Sequence, residues 1–358
     1  MQSKIFVTFA LVIGVALTGC GGGGSSNTSD GGGMTSGNTG SGTNSVGSTG
    51  TGTETGTSTI VTSVPPATYT ANGDNAIIYA QMNTIRLAIG SGLLAENVDL
   101  DKSATAHLNY LALNGIADPS FHVETSGQAG FTGVNPSDRM TAAGYNYSTT
   151  GETGYSALVA SAAVTGCVNG WADSVYHVEA LLVGYRDVGV AAGDNALASS
   201  PSITVSTCVV DLGVQANAQP QYPASGVLLA YPYSDQTGVA TSFNNQSEIP
   251  TPVPDLTGVG QPITVNLSAA VNSISVFTLT AAGGIVVPTR ILAPAGTSGL
   301  GVVIDGNINA NFATLVPTSA LSPNTTYTVK FNGVANGTTM SGSWSFTTGA
   351  AGYTTTNI

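Results

Sequence analysis

The chain has 358 residues and a formal charge of −12, from 7 Lys and Arg against 19 Asp and Glu, and it carries 47 Gly. So few basic residues exclude a nucleic-acid-binding surface, which needs clustered Lys and Arg, and no Gly-rich run is followed by Lys at phosphate-loop spacing. The length suits about two domains of roughly 150 residues each, and Gly, Ser, Thr and Asn dominate as in exported surface proteins.

The first residues read as an address. Lys4 precedes an apolar run, Ile5 to Ala16, that is too short to span a bilayer. Leu17-Thr18-Gly19-Cys20 follows, and it resembles the lipobox of bacterial lipoproteins. That resemblance implies a signal peptide over 1–19, a diacylglycerol on the Cys20 thiol and an acylated new amino terminus. More than one acyl chain gives stable anchoring, since each buried CH₂ contributes ~0.8 kcal/mol. Gly21, where inner-membrane retention signals place Asp, favours the outer membrane. Ordinary secretion with an incidental Cys20 is the plainer alternative. Residues 20–71 then form a tether, because this Gly/Ser/Thr/Asn stretch has almost no apolar side chains to offset ordering entropy.

Residues 72–222 mix helices and strands. Ile78, Met82, Ile85 and Ile89 share one face of a first helix, with Asp74 or Asn75 as cap and Gly90 as stop. A second helix is expected over Asp101 to Asn114, a short third over Asp138 to Ala143 after Ser137, and a fourth over roughly Leu158 to Leu182, broken near Gly166 or Gly170. Strands follow at Val188 to Ala192, Ile203 to Val214 and Val227 to Tyr231. Helices first and strands last suggest an α/β layered domain on an antiparallel sheet.

Residues 223–259 read as a strand and an extended linker, with Pro232, Pro250, Pro252 and Pro254. Residues 260–349 alternate in short strands separated by turns such as Asp305-Gly306, Asn332-Gly333 and Asn336-Gly337. That is the pattern of an immunoglobulin-like β-sandwich. The closing stretch from Leu321 to Trp344-Ser-Phe-Thr-Thr348 resembles bacterial Ig-like domains that end in such a strand. This region has no His or Cys, and spacing or adhesion are its natural tasks. Residues 350–358 are a tail.

Chemistry concentrates in the middle domain. Beyond Cys20, only Cys167 and Cys208 remain; in an oxidising envelope they are most simply a disulfide, otherwise two buried thiols. The three histidines are His107, His122 and His177. His107 lies on the apolar side of its helix and reads as a satisfied core histidine. His122-Val-Glu124 puts an imidazole and a carboxylate on one side of an extended segment. On a continuous helix, Asp173 and Ser174 would share the face of His177. Trp171 and Tyr145 read as core aromatics, Arg86 as the holder of a loop, and Asp138 and Arg139 as a pair or a helix cap.

These residues form an ordered series: Asn83-x-x-Arg86, Ala106-His107, Phe121-His122, Asp138-Arg139-Met140, Ala143-Gly144-Tyr145, Gly151-Glu152, Trp171-x-x-Ser174-x-x-His177 and Val188-Gly189-Val190. The series resembles the bacterial branch of the CAP superfamily, the cysteine-rich secretory, antigen 5 and pathogenesis-related proteins. The resemblance implies an α+β chain, with a three-layer α/β/α sandwich over 72–222 ahead of the β-sandwich. It also implies a cleft of two His and two acidic residues. By motif, His122 and His177 are the imidazoles and Glu152 is the first acid. Thr153 stands where the family usually has Asn, Val178 where bacterial members often have Arg, and Ser174 where Glu is common. Glu124 is therefore the candidate second acid, with Asp173 in reserve.

The family cleft suggests two uses. Two neutral imidazoles with carboxylates and open water positions suit a divalent metal, zinc over calcium, with His122 and His177 as ligands. A metal-bound water with Glu152 as general base would make a hydrolase. The family also suggests a binding module for apolar small ligands or extracellular proteins, which the tether and the Ig-like region fit. A Ser174/His177 dyad lacks a nucleophile elbow, and a purely structural polar network is the remaining alternative. The expected whole is a monomeric envelope protein attached to the membrane through Cys20.

Overall fold

The computed structural model describes residues 59–115, 121–157, 163–197 and 200–351. The expected signal, Cys20, the tether up to residue 58 and residues 352–358 lie outside the described residues.

The first domain begins with helix α1 (Asp74–Ile89). Ile78, Met82 and Ile85 are buried along one face, each contributing roughly 1.5–3 kcal/mol of transfer free energy. Gly90 closes the helix in the left-handed region at φ 84°, and its N–H bonds back to Arg86 O and Leu87 O. After the short strand β1 (Ala95–Glu96), helix α2 (Val98–Asn114) starts earlier than expected. The Asn97 side chain accepts the Asp99 N–H and sets that start. Helix α3 (Pro136–Ala143) likewise starts early: Pro136 takes the first turn and the Asp138 carboxylate accepts the Asn135 N–H.

Strand β2 (Tyr147–Ala157), helices α4 (Ala163–Ala172) and α5 (Glu179–Leu182), and strands β3 (Asp187–Leu197) and β4 (Ser200–Gln215) complete the domain. The sheet order is β1-β3-β4-β2, with β1 parallel to β3 and the other pairs antiparallel. Alternation along β3 and β4 assigns the faces. Val188, Val190, Cys208, Val210 and Leu212 face α1, α4 and α5; Ala191 and Val209 face α2. This is the three-layer sandwich the sequence suggested. The Cys167–Cys208 disulfide ties α4 to β4.

Two expectations need correction. Residues 173–178, placed within the fourth helix, are non-helical turns between α4 and α5. The last stretch of the expected tether is also not free. Val61 O accepts the Leu93 N–H, and the Tyr69 hydroxyl donates to Asp101 Oδ1 at 2.6 Å.

The second domain pairs two sheets. Strands β5 (Leu229–Tyr231), β6 (Ile263–Asn266), β9 (Thr289–Ala293), β10 (Val302–Ile304) and β11 (Phe312–Pro317) form one, in the order β10-β9-β11-β6-β5. Strands β7 (Val271–Ala281), β8 (Ile285–Val286), β12 (Thr326–Ala335) and β13 (Thr338–Thr347) form the other, in the order β13-β12-β7-β8. Val265 and Leu315 from the first sheet meet Phe277, Val329, Phe331 and Phe346 from the second in one core.

The segment expected as an extended linker is folded. The strand expected ahead of it is β5, which pairs with β6 of the sandwich. Phe243, Val253 and Val259 are buried in a core continuous with Trp171, Tyr176 and Leu181 of the first domain. The two halves therefore share apolar packing as well as polar contacts.

Candidate functional site

Glu152 lies on β2 opposite Asp211 of β4, and both are buried on the side that carries α2 and α3. Around Glu152 the fold gathers His107 from α2, Arg139 from α3, and His122 and Glu124 from the segment between these helices. Arg139 Nη2 meets Glu152 Oε2 at 2.5 Å, and Arg139 Nη1 donates to His122 O at 3.1 Å. His122 Nδ1 sits 2.8 Å from Glu152 Oε1.

His107 is the satisfied core histidine that its helical position suggested. Its Nδ1 lies 2.9 Å from Glu124 Oε1 and its Nε2 lies 2.7 Å from Phe121 O. Glu124 also accepts the Thr132 N–H at 2.6 Å. The candidate second acid is thus engaged with His107, not with His122 or His177.

The electrostatics separate the carboxyls. Burial alone would raise Glu152, but His107, Arg139 and the hydrogen bond from His122 outweigh it and hold it well below the usual carboxylate range. Glu124 follows the same balance: burial raises it, while His107, the Thr132 N–H and Arg139 bring it below its ordinary value. Asp211 goes the other way, raised well above its ordinary value by burial and by the charge of Glu152.

His177 stands apart from this group, in the turn between α4 and α5. Its Nδ1 meets Glu248 Oε1 at 2.8 Å. Glu248 is fully buried and also accepts the N–H groups of Val175 at 2.9 Å, Tyr176 at 2.8 Å and His177 at 3.3 Å. Ser174 donates to Trp171 O at 2.7 Å, so it is bonded to its own helix end. Asp173 is buried and takes no place on the hollow described next.

A hollow of about 370 Å³ opens between the domains, a volume within the range of small-molecule sites. One wall is β2 around Glu152 and Thr153, a second is the turn carrying His177 and α5 with Glu179, and the third is Asn309 to Phe312 with Asn266 from the sandwich. No Lys or Arg lines it among the described residues. His177 and the backbone of β2 at Glu152 border the same hollow, while the Glu152 carboxylate is turned to the α2 and α3 side. His122 touches Glu152 but does not line the hollow. The Nε2 atoms of both His122 and His177 are buried without a hydrogen-bond partner. Among the described residues, no three or more His, Cys, Asp or Glu are grouped so as to hold a metal ion.

The junction is polar as well as apolar. Tyr176 OH donates to Asp305 Oδ2 at 2.8 Å, Asn309 donates to Glu179, and Gln261 Nε2 donates to Ala172 O at 3.2 Å. Burial pushes Glu179 up to about 8 against the opposing bonds from Asn309, with the charges of Glu248 and Asp305 adding to the rise.

Sequence reasoning missed Glu248, Glu179 and Asp211, and saw Arg139 only as a pair or cap. Asp211 carried some signal as a charged residue within the apolar run from Val209 to Val214. Glu248 carried none, since it lies in a Pro-rich stretch distant from His177 in the chain.

Residues 79–210 match the cysteine-rich secretory protein family, and residues 232–348 match the bacterial Ig-like domain. No curated protein matches the chain. Among the described residues no helix is long and apolar enough to cross a membrane. The chain carries a domain of the cysteine-rich secretory protein family, the CAP domain, followed by a bacterial Ig-like domain, and the two together point to an extracellular or surface protein.

Proposed function

We propose that this chain is a surface-displayed binding protein that takes a small ligand in the hollow between its two domains, a divalent cation, zinc first, being the ligand its chemistry fits best. The observation that carries this reading is the state of the two imidazoles. His122 and His177 each engage a buried carboxylate through Nδ1, and each leaves a buried Nε2 without a partner. Carboxylate–imidazole pairs of this kind orient metal-binding histidines. A cation in the hollow would be held by the His177 Nε2, with water or ligand in the remaining positions, and His122 would offer its Nε2 only from beside the hollow.

Hydrolysis fits less well. A general base must be free to take a proton, and both Glu152 oxygens are engaged, by His122 and by Arg139. Its depressed proton affinity opposes that role further.

The test is titration of the full chain with zinc chloride by calorimetry at neutral pH. Wild type is expected to give saturable heat that the His122→Ala/His177→Ala variant loses. Absence of heat in wild type, or equal heat in the variant, overturns the cation reading. Display rests on the sequence signal at Cys20: a Cys20→Ala protein is expected to leave the membrane fraction, and one that stays there overturns the lipid anchor.

A further inference from the structure

We infer that Glu248, from the segment that leads into the Ig-like sandwich, is the positioning residue for His177, so that the binding hollow is a joint product of both domains and accepts ligands that bring positive charge or hydrogen-bond donors. The inference rests on the proposed use of the hollow, but its first readout needs no ligand.

The geometry of one carboxylate carries it. Glu248 is fully buried, and its oxygens take three successive backbone N–H groups, from Val175 to His177, together with the His177 ring. Those N–H groups leave Glu248 only the role of acceptor. A carboxylate that accepts three donors faces Nδ1 as a fourth, so Nδ1 carries the hydrogen. In the neutral imidazole the ring hydrogen is then fixed on Nδ1, and Nε2 presents its lone pair. That Nε2 has no protein partner, and His177 lines the hollow.

The same bonds place the ring. The turn at 175–177 cannot continue α4 while its N–H groups point at Glu248. Gln261, from the same incoming segment, takes the Ala172 carbonyl. Both ends of the break in the helix are therefore satisfied by the second domain. With the unpartnered His177 Nε2 as an acceptor and no Lys or Arg in the lining, the site offers acceptors without a fixed positive charge. An anionic ligand would find no cationic side chain there, whereas a metal cation, an ammonium group or a hydroxyl-rich molecule would find acceptors.

The experiment uses the full chain with ¹⁵N-labelled histidine at neutral pH, read by long-range proton–nitrogen spectra, and zinc chloride as the probe. Wild-type His177 is expected to show protonated Nδ1 and unprotonated Nε2. Glu248→Gln should mix the two tautomers and weaken zinc binding at least about tenfold. Gln261→Ala, which removes a junction bond without touching the ring, should leave the His177 signals in place. Should Glu248→Gln fail to fold, Glu248→Asp supplies the readout, since its shorter arm draws the carboxylate away from Nδ1. A variant at 248 with wild-type His177 signals overturns the inference, as does an equal change in Gln261→Ala. Wild type that gives no zinc heat, with a tautomer that still depends on Glu248, supports the positioning role and removes the cation reading alone.

Discussion

Arg139 Nη2 and Glu152 Oε2 meet at 2.5 Å with neither side chain exposed to solvent. The pair links α3 to β2 and holds the Glu152 carboxylate on the α2 and α3 side of the sheet. Removing one partner of a buried ion pair leaves a charge without its counter-ion and costs about 3–5 kcal/mol. Arg139→Met should therefore lower the unfolding free energy by about 3 kcal/mol or more, read by urea denaturation. Glu152→Gln in that background should recover part of the loss, because the stranded charge is then gone. A loss below about 1 kcal/mol in the single variant would mean that His122 and His107 suffice to hold Glu152.

Glu179 gives a pH dependence of definite sign. Its carboxyl is raised from 4.5 to about 8 in the folded chain by burial, opposed by Asn309 and reinforced by Glu248 and Asp305. Between these values the native state keeps a proton that the unfolded chain has lost. Stability from this group is thus present below the unfolded value and falls as pH rises, at about 1.4 kcal/mol per pH unit. Glu152 acts in a different window with the opposite sign: its folded value is depressed, so its contribution is lost as pH falls below the ordinary carboxylate range. Glu179→Gln should accordingly gain stability relative to wild type between about pH 5 and about pH 8. Urea midpoints at the two ends of that window check it, and an unchanged difference between variant and wild type at both ends refutes it.

Local signals made much of the first domain legible. The i, i+4, i+7 spacing of Ile78, Met82 and Ile85, with Gly90 behind it, reports a helix because burial and capping act within a few residues. The ordered series of motifs brought out the CAP fold. The break after Ala172 was not legible. Its cause is Glu248, which takes the N–H groups that a continuing helix would send to the carbonyls one turn back. The folded linker was hidden for the same reason. Pro-rich composition suggests an extended chain, while burial of Phe243, Val253 and Val259 depends on the partner surface around Trp171.

Gly189 and Gly193 lie on the same strand, β3, and make opposite predictions. A Cβ on Gly189 would fall 2.1 Å from the Leu100 carbonyl carbon and 2.2 Å from the Asp101 nitrogen, both backbone atoms of the first turns of α2. The helix would have to lift, and with it the Asp101 carboxylate that accepts the Val190 N–H at 2.9 Å. A Cβ on Gly193 meets only Leu108 Cδ2 at 3.7 Å, an ordinary contact. Gly189→Ala should thus cost about 2–3 kcal/mol or more through overpacking. Gly193→Ala should be neutral or gain up to about 1 kcal/mol by restricting the unfolded chain. Urea unfolding of the two single variants compares them directly. Equal effects would show that α2 does not rest on Gly189, and the close approach of helix to sheet that sets His107 beside Glu124 would need another support.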